Sequence, residues 1–168
     1  MPTIAGQLLT FALICYLLAA VFTDVRSHRI PNQLSLSAIA VAFVLQLMAS
    51  GATGLLAALA GLGVGLIMFL PFYAFGGMGA GDVKAMAAAG SFLGPLGAFL
   101  AAGLALVTGS GIAMILFMVR LGDRRVPQHT DGNAQTAQGQ PGGFPYAGAI
   151  AIGCFVALLY LGRLPTLY

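Results

Sequence analysis

The rest of the chain is arranged around the stretch Gly76-Gly77-Met78-Gly79-Ala80-Gly81-Asp82-Val83-Lys84. It contains four glycines, one acid and one base, and apolar sequence lies on both sides of it. A carboxylate at a glycine-rich break in membrane-class sequence is energetically costly and therefore marks a candidate functional site. Asp82 is the first candidate functional residue.

The composition is that of an integral membrane protein. Of the 168 residues, 60% are hydrophobic and 7% are charged, whereas a soluble domain carries about 25% charged residues. We therefore expect a single membrane-embedded domain over residues 1–168, with the lipid bilayer as its surroundings. The net charge of +3 comes from cations in short loops, where they report topology. No nucleic-acid partner is expected.

The apolar segments predict an all-α, polytopic membrane protein with six transmembrane helices. A spanning helix needs about 20 apolar residues. The predicted spans are residues 4–23, 33–50, 55–75, 82–93, 96–119 and 146–161. The fourth is short, at roughly 18 Å of helix, and is broken near Gly94-Pro95. The third carries Gly61-x-x-x-Gly65, a pattern that favours close helix packing. Residues 120–143 are polar and predict a loop.

The cations test this count of crossings. Those in the predicted interhelical loops are Arg26, Arg29, Lys84, Arg120, Arg124 and Arg125. With six crossings they all fall on one side, which the positive-inside rule makes cytoplasmic. Both termini are then expected on the opposite side, and the loop at residues 120–143 is expected in the cytoplasm. Arg163, in the tail, is the exception.

Two acids are expected at the same depth. The only acids of the chain are Asp24, Asp82, Asp123 and Asp131. Asp24 ends the first predicted span, and Asp82 begins the fourth from the same side. Two carboxylates facing each other in a partly dry site tend to share one proton. Such a pair can act as general base and general acid on one water, and so hydrolyse a peptide bond without a metal or other cofactor.

Each of these residues also has a purely structural interpretation. Asp82 could accept hydrogen bonds from the first amides of the fourth helix as a cap. Asp24 could be a charge at the membrane boundary beside Arg26 and Arg29. Lys84 lies two residues from Asp82, so on a helix the two side chains point to nearly opposite faces. Lys84 could extend to lipid head groups, contact a substrate acid, or orient the site.

Three segments resemble the motifs of one protein family. Residues 24–32, Asp-Val-Arg-Ser-His-Arg-Ile-Pro-Asn, resemble the signature after the first span of the prepilin peptidase core. Residues 79–84, Gly-Ala-Gly-Asp-Val-Lys, resemble its Gly-x-Gly-Asp-Val-Lys motif. Residues 144–153 resemble the entry to its last span, although Ala147-Gly148 stands where the family often has Gly-Pro. The chain thus resembles the type IV prepilin peptidases, which are membrane aspartyl proteases.

The resemblance implies an activity and a set of site residues. Asp24 and Asp82 would be the catalytic pair, cleaving the leader of a type IV, Flp or other pilin-like precursor at the cytoplasmic face of the bacterial inner membrane. By the same resemblance, the bulk of the substrate would be a hydrophobic helix lying in the membrane. The matched motif residues expected around the site or the substrate path are Arg26, Pro31, Asn32, Gly79, Gly81, Lys84, Pro145 and Tyr146. No four-cysteine motif is present, so the chain resembles the compact tight-adherence (Flp pilus) form. We expect no methyltransferase activity, zinc or S-adenosylmethionine.

Two other functions are compatible with these residues. A small proton-coupled transporter could use Asp24 and Asp82 as a proton relay, with the broken fourth helix at its binding site. The second function is that of a non-catalytic subunit in a secretion assembly. The sequence shows no internal repeat, and both acids are expected near one membrane boundary, so the peptidase is the favoured interpretation.

Overall fold

The computed structural model describes residues 4–27, 31–75, 78–122 and 146–161. Regular structure in these ranges consists of four helices: α1 (Ile4–Ser27), α2 (Asn32–Ala74), α3 (Ala80–Gly122) and α4 (Tyr146–Tyr160). By length and apolar composition, α1, α2 and α3 could each cross a membrane. The prediction of an all-α membrane protein is confirmed at this level, and the number of six crossings stays a prediction.

Helix α2 turns back on itself at Gly51. The φ angle of Gly51 is 62°, in the left-handed region that favours glycine. A Cβ atom on Gly54 would collide with the carbonyl of Gln46, although a straight helix would separate these residues by about 12 Å. The element therefore has two arms, residues 32–50 and 52–74. The expected turn at residues 51–54 is shorter than predicted, because one residue with positive φ is enough to reverse the chain.

Helix α3 reverses in the same way at Gly94. This glycine has a φ of 74° and precedes Pro95, which confirms the predicted break. A Cβ atom on Gly90 would lie 3.2 Å from the Cβ of Ala98, so the arms, residues 80–93 and 95–122, lie side by side. The second arm extends three residues beyond its predicted end at 119. The remainder of the predicted polar loop, residues 123–143, lies outside the described residues.

The first arm of α3 is the centre of the bundle. Most of its buried side chains are small, and the full set is Val83, Ala85, Met86, Ala87, Ala88, Ala89, Ser91, Phe92 and Leu93. The predicted Gly61-x-x-x-Gly65 face packs here, because a Cβ on Gly61 would collide with the Gly90 carbonyl and one on Gly65 would lie 2.7 Å from the Met86 oxygen. Small residues on both helices allow this close backbone approach.

A buried side chain of α2 stabilises the break in α3. The Gln46 side chain is 7% exposed, and its Nε2 donates to the Phe92 carbonyl at 3.2 Å. In an unbroken helix this carbonyl would accept from the amide four residues further on, which lies beyond the break. Gln46 replaces that donor, which explains why a polar side chain lies in the apolar interior.

Replacing Gln46 with Leu should therefore destabilise the protein. The substitution leaves the Phe92 carbonyl without this donor in an apolar interior, at a cost of about 1–3 kcal/mol. Thermal unfolding in detergent measures the loss. Gln33→Leu is the matched control, because Gln33 lies exposed on the same arm. Equal unfolding temperatures for the two variants would show that the Gln46 hydrogen bond does not support the break.

Candidate active site

The ends of the four helices gather at one end of the bundle. The Lys84 ammonium, in the first turn of α3, donates to Asn32 Oδ1 at the start of α2, with an Nζ–O distance of 2.9 Å. The backbone N–H of Ala147, at the start of α4, donates to Asp24 Oδ2 near the end of α1 at 3.3 Å. Both acids of the predicted pair lie at this end.

Asp24 lies within a helix, which continues beyond the predicted end of the first span at residue 23. Helix α1 continues past residue 23 to Ser27, because no helix-breaking residue occurs before Pro31. The continued helix turns Asp24 into the bundle, where the residue is only 7% exposed. The first amides of a helix carry partial positive charge, so the α4 terminus is a favourable neighbour for this carboxylate.

Asp82 lies in the first turn of its own helix. Helix α3 begins at Ala80, two residues before Asp82. The Gly79 N–H donates to Asp82 Oδ2 at 3.2 Å, and the Asp82 N–H donates to the Gly79 carbonyl at 3.1 Å. The first bond is the half of a capping box in which the side chain of the third helical residue accepts from the amide that precedes the helix. Asp82 thus caps the Gly79 amide, whereas the role considered for it was acceptance from the first amides of the helix itself. A carboxylate has further lone pairs, so capping and acid–base chemistry are compatible.

The structure brings the two acids together. The carboxylates lie near enough for the charge of Asp24 to act on Asp82, although they come from different helices. Asp24 is buried and Asp82 is partly buried. Two carboxylates in such surroundings do not both ionise readily. The arrangement can hold one acid and one base beside each other.

The other predicted site residues for which a position is described lie at the same end. Those on helices or at helix boundaries are Arg26, Pro31, Asn32, Gly79, Gly81, Lys84 and Tyr146. Arg26 is exposed in the last turn of α1. The Pro31 carbonyl opens α2 by accepting the Leu34 N–H at 3.0 Å. Pro145 lies outside the described residues. In the part of the chain that is described, no three His, Cys, Asp or Glu side chains cluster as metal ligands would.

A known family matches this part of the chain. A sequence profile of the type IV leader peptidase family matches residues 11–119, more than half of the 168 residues, and this range includes Asp24 and Asp82. The chain belongs to the type IV leader peptidase family. The family resemblance of the motifs is thus confirmed, and membership places the protein among the peptidases. No curated protein and no solved structure matches the chain.

Two polar contacts of this leader-peptidase chain were not predicted from its sequence. One is the bond from the Ala147 amide to Asp24. The other is a link formed by Tyr16, whose hydroxyl lies 3.5 Å from Ser35 Oγ and donates to the Ala85 carbonyl at 3.4 Å. This link ties α1, α2 and α3 together beneath the acids. A tyrosine within an otherwise apolar span was the available signal.

Lys84 and Asn32 should be energetically coupled, because the ammonium donates to the amide oxygen. We expect Lys84→Met and Asn32→Ala each to lower the unfolding temperature. The double variant should be no less stable than the less stable of the two single variants. Residues in direct contact show coupling of about 0.5–3 kcal/mol, and exposure of this pair places the value at the low end. A thermal double-mutant cycle in detergent measures it.

The matched cycle combines Lys84→Met with Gln33→Ala, because Gln33 is the exposed neighbour of Asn32. Its effects should add. Additive effects in both cycles would mean that the Lys84–Asn32 bond contributes nothing to joining the two helix ends.

Proposed function

We propose that this protein is a membrane aspartic endopeptidase that removes the leader peptide of type IV, Flp or other pilin-like precursors. The observation that carries the proposal is the meeting of Asp24 and Asp82 at one end of the bundle. Asp24 belongs to the first and Asp82 to the second of the three family-like segments, and the matched range of the family includes both acids. Arg26, Asn32 and Lys84 lie at the same end of the bundle as the reacting pair.

In the proposed reaction the two acids act on one water molecule. The ionised carboxylate removes a proton from the water, whose oxygen attacks the carbonyl carbon of the scissile peptide bond. The protonated carboxyl gives its proton to the carbonyl oxygen. The resulting diol collapses as the first acid returns its proton to the leaving nitrogen, and the C–N bond breaks. One hydroxyl proton of the diol passes to the other carboxylate. Because the acids are coupled, the shared proton belongs to the pair.

The proposed orientation places the acids at the cytoplasmic face of the bacterial inner membrane. Its support is the charge pattern, since Arg26 and Lys84 lie at the acidic end and cations favour the cytoplasmic side. At the same end, Gly79 and Gly81 present little side-chain bulk in front of Asp82. An extended substrate backbone could therefore approach the carboxylate closely.

Cleavage by the purified protein tests the proposal. The full chain in proteoliposomes is incubated with a purified pilin precursor, and mass spectrometry detects the released leader and the new N-terminus. We expect one cut at the leader boundary. Proton-dependent flux across the vesicle membrane without cleavage would favour the transporter. Neither activity, with pilus assembly unchanged in Asp24→Asn and Asp82→Asn cells, would favour a non-catalytic assembly subunit.

A further inference from the structure

An open groove runs between α1 and the first arm of α2. It has a volume of about 320 Å³, and we call it the outer groove. Its lining residues are Ala12, Cys15, Tyr16, Ala19, Leu34, Ser37, Ala38, Val41 and Phe92. It lies within the apolar length of both helices, so in a membrane its mouth faces the hydrocarbon region.

The outer groove is suited to an apolar helix. Its two hydroxyl-bearing side chains are turned to internal acceptors: Ser37 Oγ donates to the Leu34 carbonyl at 3.0 Å, and Tyr16 donates to the Ala85 carbonyl. The walls include Ala12, Ala19 and Ala38. Alanines at a helix surface let another helix backbone approach closely in lipid, where packing drives association.

The groove continues from the proposed active site. Ala19 and Ala12 lie about 8 and 18 Å along α1 from Asp24 at the helical rise. On the facing arm, Leu34 lies about 3 Å from Asn32 by the same measure. The groove therefore begins about 8 Å along α1 from Asp24 and extends into the apolar part of the bundle. A chain leaving the acids toward the membrane interior meets it directly.

We infer that the outer groove is the docking site for the apolar helix of the substrate, the segment that follows the scissile bond. The inference rests on the proposed function. A second groove of about 320 Å³ lies on the other side of the first α2 arm, beside Leu62 and Leu66. The Lys84–Asn32 bond is part of its lining at the end nearest the acids. That pair gives the second groove a charged lining, whereas the described residues that line the outer groove include no charged side chain.

Cysteine crosslinking tests the docking site. Cys15 is exposed and lines the outer groove, while Cys154 is buried. Precursors with single cysteines along the apolar helix are mixed with the Asp82→Asn enzyme, which retains uncleaved substrate, and treated with a short bis-maleimide. Cys15 lies about 14 Å along α1 from Asp24. We therefore expect crosslinks about nine residues after the scissile bond, recurring at helical spacing, and none with Cys15→Ala.

The competing groove has its own reporter, Ile39→Cys in the Cys15→Ala background, because Ile39 lines the second groove. Crosslinks to that reporter and none to Cys15 would overturn the inference. So would the absence of crosslinks to either, which would mean that lipid alone occupies the outer groove. In both cases wild-type leader cleavage would still stand, whereas loss of cleavage itself would count against the proposed function.

Kinetics give a second readout that does not depend on crosslinking. Ala38→Leu fills the outer groove and should raise KM several-fold with little change in kcat. Ala40→Leu, at an exposed position on the same arm outside the groove, should leave both values unchanged. Equal KM values for the two variants would also contradict docking in this groove.

Discussion

Asp24→Asn and Asp82→Asn should each reduce leader cleavage by at least about 100-fold, the lower end of what a positioned acid or base contributes. Asparagine has nearly the shape of aspartate but can neither take nor give the proton that the reaction transfers. Its side-chain oxygen can still accept a hydrogen bond. The bonds from the Ala147 and Gly79 amides can therefore persist, so the substitutions separate the capping role from acid–base chemistry.

The measurement is the initial rate of leader release by purified variants, with thermal unfolding as a check on folding. Asp123→Asn and Asp131→Asn make the same change at the remaining acids of the chain and should cleave at close to the wild-type rate. If a folded Asp24 or Asp82 variant also cleaves at the wild-type rate, that residue is a helix cap and not a catalytic group. The peptidase mechanism would then need another pair.

Gly61→Ala should be among the most destabilising single methyl additions in the helix contacts described. Its new Cβ would collide with the Gly90 carbonyl, and a backbone oxygen cannot move aside as a flexible side chain can. Forcing extra volume into packed structure costs about 1–3 kcal/mol. The added methyl group would push the second arm of α2 away from the first arm of α3. Since that arm of α3 carries Asp82, the substitution should also slow cleavage.

Gly63→Ala provides the matched control. Gly63 lies on the same arm, two residues away, and a Cβ there would meet nothing within 4 Å. Alanine is favoured over glycine in a helix by about 1 kcal/mol, so this variant should be at least as stable as the wild type. In soluble domains of this size each kcal/mol shifts the unfolding temperature by about 2–4 °C. Matching unfolding temperatures for Gly61→Ala and Gly63→Ala would contradict the close Gly61–Gly90 contact.

Much of the helical organisation could be read from local sequence. The apolar segments predicted helices whose bounds differ from the observed ones by a few residues, and Gly94-Pro95 predicted the break in α3. These features depend on short-range properties: apolar length, the missing amide of proline, and the freedom of glycine to adopt positive φ. Family membership likewise follows from motifs that are contiguous in the chain.

The site contacts depend on packing between distant parts of the chain. Nothing near Asp24 in the sequence shows that this carboxylate accepts from an amide 123 residues away. Nor does the sequence show that Lys84 reaches Asn32 across a separation of 52 residues. Local sequence determines where helices begin, end and break. The rotation of each helix about its axis is set by close packing around the first arm of α3, and that rotation determines which side chains meet.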